Sequence, residues 1–110
     1  MISKILHVLE NNLSNENLDI EFLAKEAFVS KRQLFRKIQS ITGHTPGEFI
    51  RLFKLKRAAK LILEDHLSIT QIALQVGFNS PAQFTRSFTK YFGCLPSKFK
   101  EQGFKNYVND

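Results

Sequence analysis

The 110-residue sequence predicts an all-α chain: two helix-turn-helix units joined by a long central helix, with about seven helices in all. Apolar residues recur at intervals of three and four, as in Ile69, Ile72, Ala73 and Val76, which is the period of a helix with one buried face. Four tetrads carry a hydroxyl followed three places later by Gln or Glu: Ser30 to Gln33, Thr45 to Glu48, Ser68 to Gln71 and Ser80 to Gln83. In this capping box the hydroxyl accepts the third amide of the helix and the longer side chain reaches back to the cap amide, so each tetrad marks a helix start. The chain also repeats itself under a shift of fifty. Phe28 matches Phe78, Ser30 matches Ser80, Leu34 matches Phe84, Arg36 matches Arg86 and Ile38 matches Phe88; Gly43 with Gly93, Pro46 with Pro96 and Phe49 with Phe99 continue the series. The matched positions are cap, core stripe, turn glycine, helix-starting proline and one outward arginine. Two copies covering most of a short chain point to a pseudo-symmetric pair rather than to a solenoid.

Taken in order, Ile2, Ile5, Leu6, Leu9 and Leu13 form the inward stripe of a first helix, which the Asn-rich stretch 11–17 ends. Asp19 caps a helix over residues 20–27, with Leu23, Ala24 and Ala27 inward and Glu21 near the positive end of its dipole. Ser30 opens the first reading helix, with Leu34, Ile38 and Ile41 inward and Arg32, Phe35, Arg36 and Gln39 outward. Thr42-Gly43-His44 ends it. Thr45 caps the long helix, Pro46 starts it, and residues 46–63 at 1.5 Å each make a rod of roughly 27 Å. Its expected inward stripe is Phe49, Leu52, Leu55, Ala59 and Ile62, with Arg51, Lys54, Arg57 and Lys60 elsewhere on its surface. A helix over residues 69–76 follows, and Gly77 supplies the positive φ of the turn. The second reading helix has Ser80 as cap and Pro81 at its first position. Its expected buried stripe is Phe84, Phe88, Tyr91 and Phe92, and Ala82, Gln83, Thr85, Arg86, Thr89 and Lys90 lie on the opposite face. A last helix after Pro96 carries Phe99 inward and starts weakly, because Leu95 stands where a capping hydroxyl is expected. The expected organisation is a first unit over residues 1–44, a linker helix over 45–64, a second unit over 65–105 and a tail over 106–110.

The net charge of +6 is unevenly placed. Residues 1–27 carry two Lys against five acids, residues 28–63 carry nine Lys or Arg against Glu48 alone, and residues 64–110 carry five against four. A basic block over one reading helix and the helix after it is the footprint of a polyanion-binding face, and also that of a solvated surface or of a module that binds an acidic partner. Lys31, Lys37, Lys54 and Lys90 fit phosphate neutralisation or plain surface better than base reading. Cys94 is the only cysteine, which excludes an internal disulfide and a multi-Cys zinc site. His7, His44 and His66 have no Cys or carboxylate at ligand spacing, so neither a metal nor a general base is indicated, and no catalytic set or cofactor loop is found. No apolar run approaches the ~20 residues that span a bilayer, and the start MISKILHVLE lacks a cleavage site, so a cytoplasmic location away from membranes is expected.

The run I-x-x-I-A-x-x-x-G-F-x-S-x-x-x-F-x-R-x-F-x-x-x-x-G-x-x-P-x-x-F, from Ile69 to Phe99, resembles the signature of the AraC/XylS family of transcription regulators. Upstream, S-x-x-x-L-x-R followed by T-G-H-T-P-G-E-F-I and L-K-R-A-A-K-L resembles the first half of the same domain, so the likeness covers residues 2–104. The resemblance implies sequence-specific binding of double-stranded DNA, with the two reading helices in consecutive major grooves. It implies base-facing roles for Arg32, Phe35 and Arg36, and for Ala82, Gln83 and Arg86, with Thr85 at a phosphate. With Lys31, Gln39 and Lys90 these make the expected DNA-contacting set. Ala82 and Phe35 depart from a hydrogen-bonding pattern and offer only methyl contact or stacking, Thr89 replaces a commonly basic residue, and Lys100 a common arginine. RNA polymerase and a sensory or receiver domain absent from this chain are the further partners implied. LKRAAKLIL and TGHTPGEFIR are similar to segments of two-component members, so the chain is expected to be the C-terminal domain of a larger protein.

Overall fold

The computed structural model describes residues 2–14, 18–64 and 66–103, and the side chains of Ile2 and of residues 102–103 are not among what it describes; part of the Asn-rich stretch, Asp65 and the tail lie outside the described residues. Among the described residues six α-helices follow one another: α1 (Ile2–Asn11), α2 (Ile20–Glu26), α3 (Lys31–Thr42), α4 (Pro46–Glu64), α5 (Ile69–Gln75) and α6 (Pro81–Phe92). The last expected helix is a 3-10 turn, Pro96–Lys98, running into a π-turn, Phe99–Gly103. Leu95 supplies no side-chain cap there, as the sequence suggested, while Phe99 is fully buried. The chain divides into two compact units, Met1–Lys54 and Leu55–Asp110, and the division falls inside α4.

In the first unit Ile5, Val8 and Leu9 of α1, Leu23 and Ala24 of α2, Leu34 and Ile38 of α3 and Ile50 of α4 form one apolar cluster, with Leu18 and the half-buried Phe49 and Phe53 against it. The inward face of α1 is therefore set by Val8 rather than by Leu6, which is 38% exposed. In α3 the stripe ends at Ile38; Ile41, expected inward, is 53% exposed. The expected caps are in place: Asp19 accepts the Phe22 amide at 2.9 Å, and Ser30 and Gln33 form the complete box. Thr45 accepts the Glu48 amide at 3.3 Å and its hydroxyl donates to the Glu48 carboxylate, which His44 approaches to 3.4 Å. Gly43 closes α3 at φ +77°, donating to the Gln39 carbonyl, and Gly93 closes α6 at φ +80° in the same way through Thr89.

The second unit is built on stacked rings. Phe84 packs edge-on to Phe78 at 5.3 Å and beside Phe88 at 5.5 Å, and Phe88 in turn meets Phe92 at 4.5 Å and Phe99 at 5.3 Å. Phe84, Phe88 and Phe99 are fully buried, as are Ile72 and Ala73 of α5 and Val76 at its C-cap. Tyr91, expected in the stripe, is 44% exposed and lies edge-on to Phe92. The inward residues of α4 form two sets rather than one stripe, the buried Pro46 and Ile50 with the half-buried Phe49 and Phe53 in the first unit, then the buried Leu55, Ala58, Ala59 and Ile62 in the second. Leu52 is only half-buried, and Lys54 and Arg57 are drawn partly out of solvent. Burial pushes the Lys54 ammonium below the usual lysine value.

The repeat has an offset the fifty-residue shift hides. Up to the turn the units correspond under a shift of 49: Asp19 and Ser68 cap, Leu23 and Ile72 are inward, and Ala27 and Val76 end the helix. The Phe28 amide bonds to the Lys25 carbonyl and the Val29 amide to that of Ala24; Gly77 and Phe78 make the matching bonds to Leu74 and Ala73. Phe28 is thus the counterpart of Gly77, not of Phe78, and Asn79 is the extra residue that restores a shift of fifty at Ser30 and Ser80. The consequence is strain. Gly77 takes φ +93° freely, whereas Phe28 holds φ +58° with 84% of its surface exposed and, among the described residues, the Lys4 ammonium 4.3 Å from its ring centroid as the one charged partner. A left-handed residue costs about 1–2 kcal/mol, and an exposed cation–π contact returns about 0.5–1 kcal/mol. Phe28→Asn, which tolerates that conformation without glycine's entropy, is therefore expected to raise the urea midpoint by the equivalent of up to about 1 kcal/mol.

Candidate nucleic-acid interface

On α3 the outward positions 32, 35, 36 and 39 follow the i, i+3, i+4, i+7 spacing of one helix face, and the structure leaves Arg32, Phe35, Arg36 and Gln39 all exposed. With Lys31 they wall an open hollow of about 590 Å³ whose sixth wall is Ile20, the first residue of α2. Phe35, 40% exposed, stays outside the core cluster, so it is not a core side chain on a slightly turned helix. Ile20 is the residue the sequence did not nominate. Its spacing to Leu23 and Ala24 reads as an inward position, and it is indeed packed on the core cluster while one side of it faces the hollow.

Lys31 is held by the Glu21 carboxylate at 3.2 Å, both side chains being mostly exposed. An exposed pair of this kind contributes little to stability, but it occupies the ammonium that the sequence offered for phosphate neutralisation. Glu21→Gln is expected to strengthen binding to DNA severalfold at low salt and to steepen the salt dependence by about one ion, read from a titration of affinity against salt.

On α6 Ala82, Gln83, Arg86 and Lys90 are exposed and Thr85 is half-exposed. Thr89 does not share that face: its hydroxyl oxygen is buried and no partner for it is found among the described residues. The two glutamines of the expected boxes also part company. Gln33 accepts the Ser30 amide at 2.9 Å and is spoken for by the cap. At Ser80 only half of the box forms, since the serine accepts the Gln83 amide at 3.2 Å while the Gln83 side chain makes no return bond to the cap. The cap backbone explains the difference, with φ −149° at Ser80 against −73° at Ser30 and −70° at Ser68. The Gln83 amide is thereby left to face outward beside Arg86.

Among the described residues no group of His, Cys, Asp and Glu is placed to hold a metal ion, and no helix is long and apolar enough to cross a membrane. Burial raises the Cys94 thiol, which lowers its thiolate fraction and its reactivity. What the surface offers is two helix faces that carry guanidinium, amide and short apolar groups.

The sequence matches the model of a helix-turn-helix domain family over residues 23–102. It is 41% identical over 104 residues to the "Probable transcription factor PqrA" of Proteus vulgaris, covering 94% of this chain and 85% of that protein. It is 39% identical over 102 residues to Histidine kinase P4 of Formosa agariphila, covering 93% of this chain but spanning only 7% of that protein. A solved transcriptional regulator of Chromobacterium violaceum, described as an AraC-type DNA-binding-domain protein, superposes with a TM-score of 0.83 at 29% identity, over 92% of this chain and 89% of that one.

Proposed function

The chain belongs to the AraC-type family of helix-turn-helix transcription regulators, and from that membership we propose that it binds double-stranded DNA in a sequence-specific way, with α3 and α6 each reading a major groove. The family acts by binding rather than by catalysis. The observation that carries the reading is the pair Arg36 and Arg86, at the same place on the outward faces of two helices that share cap position and closing glycine. Arginine's planar fork matches the two acceptors of guanine in the major groove. Arg32, Phe35 and Gln39 complete the first reading face, and Ala82, Gln83 and Lys90 the second, with Thr85 at a phosphate and the basic residues of α3 and α4 docking the backbone. Lys31 joins them once DNA competes with Glu21 for its ammonium.

The match to a short part of Histidine kinase P4 supports a further reading, that such a domain serves as the output end of a larger signalling protein; a place in the bacterial cytoplasm and action on RNA polymerase belong to the same proposal and rest on the DNA-binding reading. Selection of bound duplexes from a random pool, followed by salt titration of the winner against scrambled DNA, tests the proposal. Two short motifs about one helical turn apart are expected. Equal binding of scrambled DNA would replace this reading with a general polyanion binder or a module for an acidic protein partner.

A further inference from the structure

We propose that the hollow between Phe35 and Ile20 receives the C5 methyl group of a thymine, so that the first reading helix specifies a thymine beside the base read by its arginines. This rests on the DNA-binding reading above and adds the chemistry of one contact.

Phe35 is the one side chain on its face with nothing to donate or accept, and it stands between Arg32 and Arg36 at helical spacing. Exposure alone does not set Phe35 apart, since Phe28, Ile41 and Tyr91 are more exposed; its place does, a 40% exposed ring walling a hollow on the same face as two outward arginines. The hollow it walls has a hydrocarbon side, Ile20 and the ring, and a donor rim from Lys31, Arg32, Arg36 and Gln39. A second hollow of about 440 Å³ is also lined by Phe35, Ile20 and Lys31, so the ring takes part in both. Ile20 is fixed in position, since Asp19 immediately before it caps α2 and its own side chain packs on the core. A partner for this surface must be anionic around an apolar point. In the major groove each base pair is flanked by phosphates, and among the four bases thymine alone presents a methyl group. Cation outside and hydrocarbon inside fit that edge, whose O4 acceptor can turn to the donor rim while the methyl meets Ile20 and the ring; the other three bases have no methyl to place there.

The test replaces, one at a time, each thymine of the selected duplex by uracil, which removes the methyl and leaves the pairing intact. At one thymine, in the half-site whose base preference Arg36→Ala relaxes, the uracil duplex is expected to bind about fourfold more weakly, as for one methyl withdrawn from contact. That difference should vanish in Phe35→Ala and shrink in Ile20→Ala. The uracil arm needs neither of these two variants and stands whether or not either substitution perturbs folding. An enriched site that tolerates uracil everywhere, or that keeps its uracil sensitivity in folded Phe35→Ala, overturns the methyl contact and leaves DNA reading intact. A chain that enriches no sequence overturns both.

Discussion

Replacing Phe88 with alanine is expected to cost about 3–5 kcal/mol and to lower the urea midpoint accordingly. The ring is fully buried and meets three others: Phe84 and Phe92 on its own helix and Phe99 from the turn after Pro96. Its truncation removes the transfer energy of the ring and leaves a cavity that flat, rigid neighbours fill poorly. Domains of this size have only about 5–15 kcal/mol of stability in total, so a loss of this magnitude consumes much of it. Ile38, at the matching place in the first unit and equally buried, is smaller, and Ile38→Ala should cost less, about 2–5 kcal/mol. Urea denaturation followed by far-ultraviolet circular dichroism measures both. A loss below about 1 kcal/mol for Phe88→Ala would mean that the ring stack is not what holds α6 to the terminal turns.

The capping signals were legible because they are local: a serine or aspartate and the amide three residues on are fixed by the helix start itself, so Asp19, Ser30 and Ser68 act as the sequence said. The closing glycines were legible for the same reason. Which way a helix turns its face was less so. In α1 both the Ile5, Leu6, Leu9 set and the Ile5, Val8, Leu9 set satisfy helical spacing, and only contact with α2 and α3 decides for Val8. Ile41 and Tyr91 are repeat-related and both face solvent, because after Ile38 and Phe88 the stripe continues through Thr42 and Phe92, four places on rather than three. The 49-residue register of α2 and α5 was hidden by the coincidence of Phe28 with Phe78, two identical residues in opposite environments, one 84% exposed and one buried. Of the candidate site, the outward arginines and Phe35 followed from helix phase alone. Ile20 did not, since its place in the hollow depends on how α2 meets α3, and neither did the release of Gln83, which depends on the backbone of Ser80.

Arg36→Ala and Arg86→Ala are each expected to weaken binding to the selected site by about 1–3 kcal/mol, roughly 5- to 150-fold in Kd, and to relax preference at one base position each. The two outcomes should differ in place, the first falling in the half-site that also carries the thymine dependence and the second in the other half. Because the two residues lie in separate units and share no partner among the described residues, the double variant should show close to the sum of the single losses. A charge effect alone would look different. Removing the exposed Lys37, on the same helix as Arg36, should weaken specific and scrambled duplexes alike and reduce the salt slope by about one ion, with no change in base preference. If Arg36→Ala and Arg86→Ala behave as Lys37→Ala does, the guanidiniums hold phosphates, and sequence is read by their neighbours on the same helices: Phe35 with its hollow in the first unit, and Gln83, free of its cap, in the second. If neither substitution changes specific binding, α3 and α6 do not present these faces to DNA at all.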